Sequence, residues 1–266
     1  MIAYKRPITE LFHDCRRVSF QLAGIARKIS SMAGIRLITF DLDNTLWPVD
    51  EVIRRAEQAC GKWIAEAHPE ASAVMSVERI RAIRDTLLAE HEVYQHNFTA
   101  LRRDAMLQGF RQAGYGQGAA RDGAEEALDV FLEARNRVVF FPGALEVLET
   151  LADSYTLGAL SNGNADLGRI GIDGLFAFHH SAETVGRRKP EPDMFRAALE
   201  SAGVRPDQAL HVGDHPVEDV DAARRHGFHA IWANLLDLHW PGELDEHPHR
   251  VHNLHEITEL LPLIDD

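Results

Sequence analysis

The sequence predicts a doubly wound α/β fold, a parallel sheet wrapped by helices on both faces, with an all-helical domain inserted after the first strand. Three observations predict it. Short apolar runs of strand length end in polar residues, strand-like and helix-like segments alternate through the second half of the chain, and residues 49–136 show helical spacing alone.

Arg36-Leu-Ile-Thr-Phe-Asp41 is an apolar run ending in a carboxylate, as expected of a strand buried on both faces. A turn through Asn44 and Pro48 follows it. Ile53, Ala56, Ala59 and Trp63 then recur at helical spacing, as do Ile80, Ile83 and Leu87. Leu101, Ala105, Met106 and Phe110 continue the pattern, and Ala127, Val130 and Phe131 end it. Four or so helices are expected here, with Gly114, Gly116 and Gly118 marking the one flexible break. Pro142-Gly143 opens a helix through Leu151, and Thr156–Leu160 reads as a strand. A helix over Pro192–Ala202, a strand over Ala209–Gly213, a helix over Val217–His226 and a strand over Phe228–Trp232 complete the alternation. A surface segment rich in histidine (His239, His247, His249, His252, His255) leads to a final strand and a helix over Glu256–Leu263. These histidines lack a zinc-site spacing. The expected organisation is an N-terminal extension over 1–34, a core over 35–48 and 137–266, and a helical cap over 49–136, with Met32 as a candidate start.

Acidic residues outnumber basic ones 41 to 28, a formal net charge of −13. Such a balance disfavours binding to nucleic acid or anionic membrane, so an anionic ligand must be drawn by a local pocket of cations. The two cysteines, Cys15 and Cys60, share no metal-site spacing, which favours a reducing, cytoplasmic compartment. No apolar stretch approaches the ~18 residues that span a bilayer. The basic, interrupted N-terminal segment does not read as a secretory signal. The expected partner is a small molecule, and oligomeric state stays open.

Ligands of open parallel sheets bind outside the carboxyl ends of the strands. Those ends carry Asp41, Ser161-Asn162-Gly163 and Gly213-Asp214. Asp41 and Asp43, two apart in extended chain, point the same way, although such a pair is also a common turn motif. Asp214, followed by Asp219, is either a second acidic cluster or an N-cap. Two such clusters repel unless a cation lies between them, and an all-oxygen donor set suits Mg²⁺. Lys189, whose path is restricted by Pro190, can hold a nucleophile and a phosphate together, whereas Arg187 and Arg188 read as a solvated loop. Ser161-Asn162-Gly163 offers a hydroxyl and backbone N–H groups to an anion, or forms an ordinary capping turn. Trp63 reads as helix core, while Trp47, beside the first motif, could stack on a ring.

These four segments in this order resemble the haloacid dehalogenase superfamily of hydrolases, whose core is Rossmann-like and whose helical cap interrupts it at this point. The resemblance implies that Asp41 is a nucleophile forming an aspartyl-phosphate and that Asp43 is the acid/base. It implies Mg²⁺ held by Asp41, the backbone carbonyl of Asp43 and Asp214. Ser161, Asn162 and Lys189 would bind the phosphoryl oxygens, with Thr45, Gly213 and Asp219 in support. Superfamily dehalogenases lack an acid at the position of Asp43, so phosphatase is the implied reaction. The sequence also resembles bacterial phosphatases of FMN and 5-amino-6-(5-phospho-D-ribitylamino)uracil, through Phe40–Leu46, Leu160–Ala165, Lys189-Pro190 and Leu210–Asp214. In the cap, Glu92-Val-Tyr94 and His96-Asn-Phe-Thr99 look similar, which makes His96 and Thr99 candidate substrate contacts beside Trp47. The N-terminal extension and His215-Pro216 depart from that pattern. A nucleotide or sugar-phosphate phosphatase, a phosphomutase, and a regulatory protein that binds a phosphate ligand without turnover are the alternatives.

Overall fold

The computed structural model describes residues 34–244 and 249–264. Residues 1–33 of the expected N-terminal extension, with Cys15 and Met32, lie outside the described residues, as does His247.

Six parallel strands form one sheet in the order β3-β2-β1-β4-β5-β6: β1 Leu37–Phe40, β2 Thr156–Ser161, β3 Phe178–Ser181, β4 Ala209–Gly213, β5 His229–Ala233 and β6 Arg250–Val251. β1 lies between β2 and β4, so the chain winds outward in both directions and its switch point falls at the end of β1. All four residues of β1 are fully buried, because alternate side chains enter two different cores. Ile38 and Phe40 pack with Leu148, Val212 and Ile231 on one face. Leu37 packs with Leu160, Phe195 and Trp232 on the other.

β3 has no apolar signature, since Phe-His-His-Ser is only half buried at the sheet's edge. What fixes it is Gly158 in β2, directly opposite Phe178, where a Cβ would collide with the phenyl ring.

Between β1 and β2 lie four long helices: α1 Val49–Ala67, α2 Val77–Glu90, α3 Phe98–Gln112 and α4 Gln117–Arg135. They share a core of their own, which includes Ala56, Ile64, Met106, Phe110 and Phe131, and a buried Cys60. Gly114 is left-handed (φ +88°) and ends α3, as the glycine pattern suggested. Gly118, however, lies inside α4, and two further breaks need no glycine. Ser76 and Asn97 stop the chain by capping α2 and α3, their side chains accepting from the N–H groups of Arg79 and Ala100.

Three more helices flank the sheet: α5 Ala144–Ala152, α6 Asp193–Ala202 and α7 Glu256–Ile264. The helix expected after β4 begins as a π-turn over Pro216–Asp221 and continues as one α-turn over Ala222–Arg225. Its N-cap is His215, whose Nδ1 accepts from Val217 and Glu218, so Asp214 is not the cap. No helix among the described residues is long and apolar enough to cross a membrane.

Candidate active site

A cavity of about 430 Å³ opens at the carboxyl edge of the sheet, between that edge and the helical domain. Asp41, Asp43, Ser161, Asn162, Lys189, Asp214 and Asp219 all border it. Residues from four distant segments thus meet at one place because β1, β2 and β4 are neighbours and end together.

The loop after β1 is folded by its own side chains. Asn44 adopts a left-handed conformation (φ 63°), and its Oδ1 accepts the Val49 N–H at the start of α1. Asp41 directs Oδ1 to Lys189 at 2.8 Å, while its Oδ2 has only a long contact with the Thr45 hydroxyl at 3.4 Å. One carboxylate oxygen is therefore clamped and the other is weakly held.

Lys189 is 1% exposed. Its ammonium donates to Asp41 Oδ1 (2.8 Å), Asp219 Oδ1 (2.6 Å) and the Leu160 carbonyl (2.7 Å), which uses all three protons. A direct contact with phosphate would require exchanging one of them. Asn162, expected to bind phosphate, instead spends its side-chain amide on the two backbone groups of Lys189 and on Glu218. Its side chain positions the lysine. The Lys189–Pro190 peptide is cis. Ser161 is buried, and its hydroxyl accepts the Gly163 N–H at 3.0 Å.

Asp219 sits beneath the lysine and also accepts from His211 Nε2 at 3.2 Å. Thr39 contacts the other imidazole nitrogen at 2.8 Å, so Thr39, His211, Asp219, Lys189 and Asp41 form one buried chain. Burial pulls the His211 pKa down, and its Nε2 faces the Asp219 carboxylate. Gly213 has no side chain because a Cβ there would collide with Asp219.

Three carboxylates, Asp41, Asp214 and Asp219, bring oxygens within 4.8 Å of one another. Burial pushes the Asp41 carboxyl well above its ordinary range, against the pull of Lys189, and Asp219 and Asp214 add to the rise. Burial, with Asp219, raises Asp214 to about 7. Asp219 itself is held below the carboxylate range: burial would raise it, but Lys189 and His211 outweigh that. Burial would likewise lower Lys189, but Asp219 and Asp41 hold it above its ordinary value. Three carboxylates thus face one ammonium, and fully ionised they would carry an excess of two negative charges. An all-oxygen site with that deficit fits a divalent cation such as Mg²⁺.

Asp43 is held by two groups that the sequence reading missed or misassigned. Arg135, the last residue of α4 and 1% exposed, places Nη2 2.7 Å from both Asp43 oxygens. Trp47, expected to face a substrate ring, has no exposed surface, and its indole N–H donates to Asp43 Oδ1 at 2.8 Å. Gly163 leaves room for this arrangement, since a Cβ there would stand 2.5 Å from Asp43 Oδ2.

His96 and Thr99 are absent from the cavity wall. Thr99 joins the helical domain to the core, its N–H donating to Glu183 and its hydroxyl accepting from Asn164. Arg84, Phe98, Arg102 and Phe131 line the cavity in their stead. The signal that could have found Arg102 and Arg135 is a cation at a position that helical spacing assigns to the buried side. Arg102 falls between Leu101 and Ala105, and Arg135 lies four residues after Phe131.

The family model for haloacid dehalogenase-like hydrolases matches residues 35–227. Over 201 residues the chain is 34% identical to the 5-amino-6-(5-phospho-D-ribitylamino)uracil phosphatase YigB of Escherichia coli, covering 74% of this chain and 83% of that one. It is 38% identical over 132 residues to a phosphoserine phosphatase of Thermus thermophilus, covering 47% of this chain and 53% of that one. A solved 2-haloacid dehalogenase from Pseudomonas syringae superposes with a TM-score of 0.81 at 40% identity, covering 86% of this chain and 99% of that one.

Proposed function

The chain belongs to the haloacid dehalogenase-like hydrolases, and within that family we propose that it is a phosphatase that transfers the phosphoryl group of a small monoester to Asp41 and then to water. The observation that carries this reading is Asp43, an acid/base candidate held two residues from the nucleophile by Arg135 and Trp47. A halide leaves without a proton, whereas an alkoxide needs one. Asp43 therefore has work in ester cleavage and none in dehalogenation, despite the solved dehalogenase relative.

Asp41 attacks phosphorus with Oδ2, the oxygen that Lys189 leaves weakly held. The phosphorus–ester oxygen bond breaks, and the departing oxygen takes a proton from Asp43. In the second half a water gives its proton to Asp43 and attacks the aspartyl-phosphate, which releases inorganic phosphate, frees the Asp41 carboxylate and returns Asp43 to its acid form. Lys189 favours the ionised form of Asp41 and orients it, Asp219 and His211 keep Lys189 in place, and Ser161 faces the phosphoryl oxygens. Asp41, the backbone carbonyl of Asp43 and Asp214 would hold Mg²⁺, which when bound supplies the positive charge that lets a carboxylate approach a phosphate dianion.

The likeness to YigB favours 5-amino-6-(5-phospho-D-ribitylamino)uracil as the substrate, and the room in the cavity admits the related ester FMN, which would place the protein in flavin metabolism. A phosphate-release screen over these esters, nucleotides, sugar phosphates and a 2-haloacid tests the reading, with Asp41→Asn as control. Flavin-type esters should lead in kcat/KM and Asp41→Asn should be inactive. Halide release without phosphate release would overturn the proposal.

A further inference from the structure

The inference concerns the end of the substrate remote from its phosphate, and it rests on the phosphatase reading above. The helical domain's share of the cavity wall carries two guanidiniums, Arg84 from α2 and Arg102 from α3, among the apolar side chains of Phe98, Leu101 and Phe131. None of these groups has a part in the phosphoryl chemistry at the sheet edge. Arg102 is 8% exposed and lies with its guanidinium carbon 3.5 Å from the centre of the Phe131 ring. Both arginines lean on one buried carboxylate, Glu57, at 3.4 Å and 3.7 Å. Arg81 binds the same carboxylate from the outer surface.

Glu57 is therefore shared among three guanidiniums, and Arg84 and Arg102 meet it only at long range beside the cavity. Burial, and after it the charge of Arg84, pulls the Arg102 pKa down to about 10. Cations set among aromatic and aliphatic walls suit a flat ring whose edge carries oxygen acceptors. The cavity's volume, about 430 Å³, lies in the ~300–1,000 Å³ range of pockets that enclose a drug-sized ligand. A two- or three-carbon acid phosphate would leave much of it unfilled.

We infer that Arg84 and Arg102 form a subsite that reads a planar, carbonyl-bearing heterocycle at the far end of the phosphate ester, with Arg84 donating to its carbonyl oxygens. Glu57 sets the two guanidiniums in place, and the apolar wall takes the face of the ring.

The test compares kcat/KM of the full chain, Arg84→Gln and Arg84→Lys on three esters: FMN, phenyl phosphate and 2-phosphoglycolate. Arg84 is chosen because its side chain is 26% exposed, so its replacement leaves the helical core intact. Losing one charge-assisted hydrogen bond should lower kcat/KM for FMN about 10–100-fold. That loss should fall on KM, and Arg84→Lys should recover part of it. Phenyl phosphate, with a ring and no carbonyl, should be unaffected. FMN binding to Asp41→Asn, followed by flavin fluorescence, should weaken by the same factor when Arg84→Gln is added. Equal losses on FMN and phenyl phosphate, or no loss on FMN, would overturn the subsite. So would 2-phosphoglycolate proving the better and more Arg84-dependent ester, because the cations would then read a carboxylate. Phenyl phosphate hydrolysed normally with FMN untouched sinks the subsite alone, whereas no phosphate from any ester sinks the phosphatase reading with it.

Discussion

Replacing Arg135 by Gln removes the buried guanidinium that holds both oxygens of Asp43 at 2.7 Å. Charge-assisted hydrogen bonds contribute about 1.5–3 kcal/mol each. The Asp43 side chain is 21% exposed, so water replaces part of the loss and the lower half of that range applies. What suffers is the orientation of Asp43 as the base for the attacking water, a step common to every substrate. Hydrolysis of the phosphoenzyme should slow about 10–30-fold, since 1.4 kcal/mol is one factor of ten. With p-nitrophenyl phosphate, whose leaving group needs no proton, the first half-reaction should proceed normally. Rapid-quench or stopped-flow traces of Arg135→Gln should show a burst of p-nitrophenolate approaching one per active site, then a slow steady state. Arg135→Lys should restore part of the steady rate. A slow steady state with no burst would mean that phosphorylation itself had slowed, and the positioning role would be refuted. Unchanged turnover would refute it as well.

Lys189→Met leaves Asp41 and Asp219 buried without their ammonium, a loss of about 3–5 kcal/mol for a broken buried ion pair. Differential scanning calorimetry should show Tm down by about 10 °C along with lost turnover; an unchanged Tm would mean the carboxylates do not need the lysine. Mg²⁺ binding should require an ionised Asp214, whose pKa burial and Asp219 raise to about 7. Affinity measured calorimetrically should therefore fall as the pH drops through about 7, as protons compete for the ligand oxygens; a flat profile between pH 5.5 and 8 would remove Asp214 from the metal set. EDTA should abolish turnover and Mg²⁺ restore it.

Much of the site was legible because strand ends are legible. Burial on both faces forces β1 and β4 into continuous apolar runs, and a carboxylate that ends such a run stands out. Asp41 and Asp214 were found that way, Lys189 through the proline that follows it, and all three lie together. β3 was not legible, because an edge strand covered on one side needs no apolar run, and its evidence is a glycine in a different strand. Arg135 escaped because its partner Asp43 is 92 residues away and only the return of α4 to the core brings them together. Trp47 was misread for a related reason. Its position beside Asp43 was plain, but a sequence does not say whether an indole turns toward a cavity or, as here, packs edge-on against Phe140 and gives its N–H to a neighbour. Asn162 shows the same limit, since its amide faces the backbone of Lys189.

The account depends on Asp41 forming a covalent bond to phosphorus. Acid-quenching Asp43→Asn during turnover of an aryl phosphate, followed by peptide mass mapping, should find a phosphoryl group on the peptide that contains Asp41, and no such adduct in Asp41→Asn. Phosphate released by the unaltered protein while Asp41 stays unmodified throughout, with Asp41→Asn still active, would contradict it.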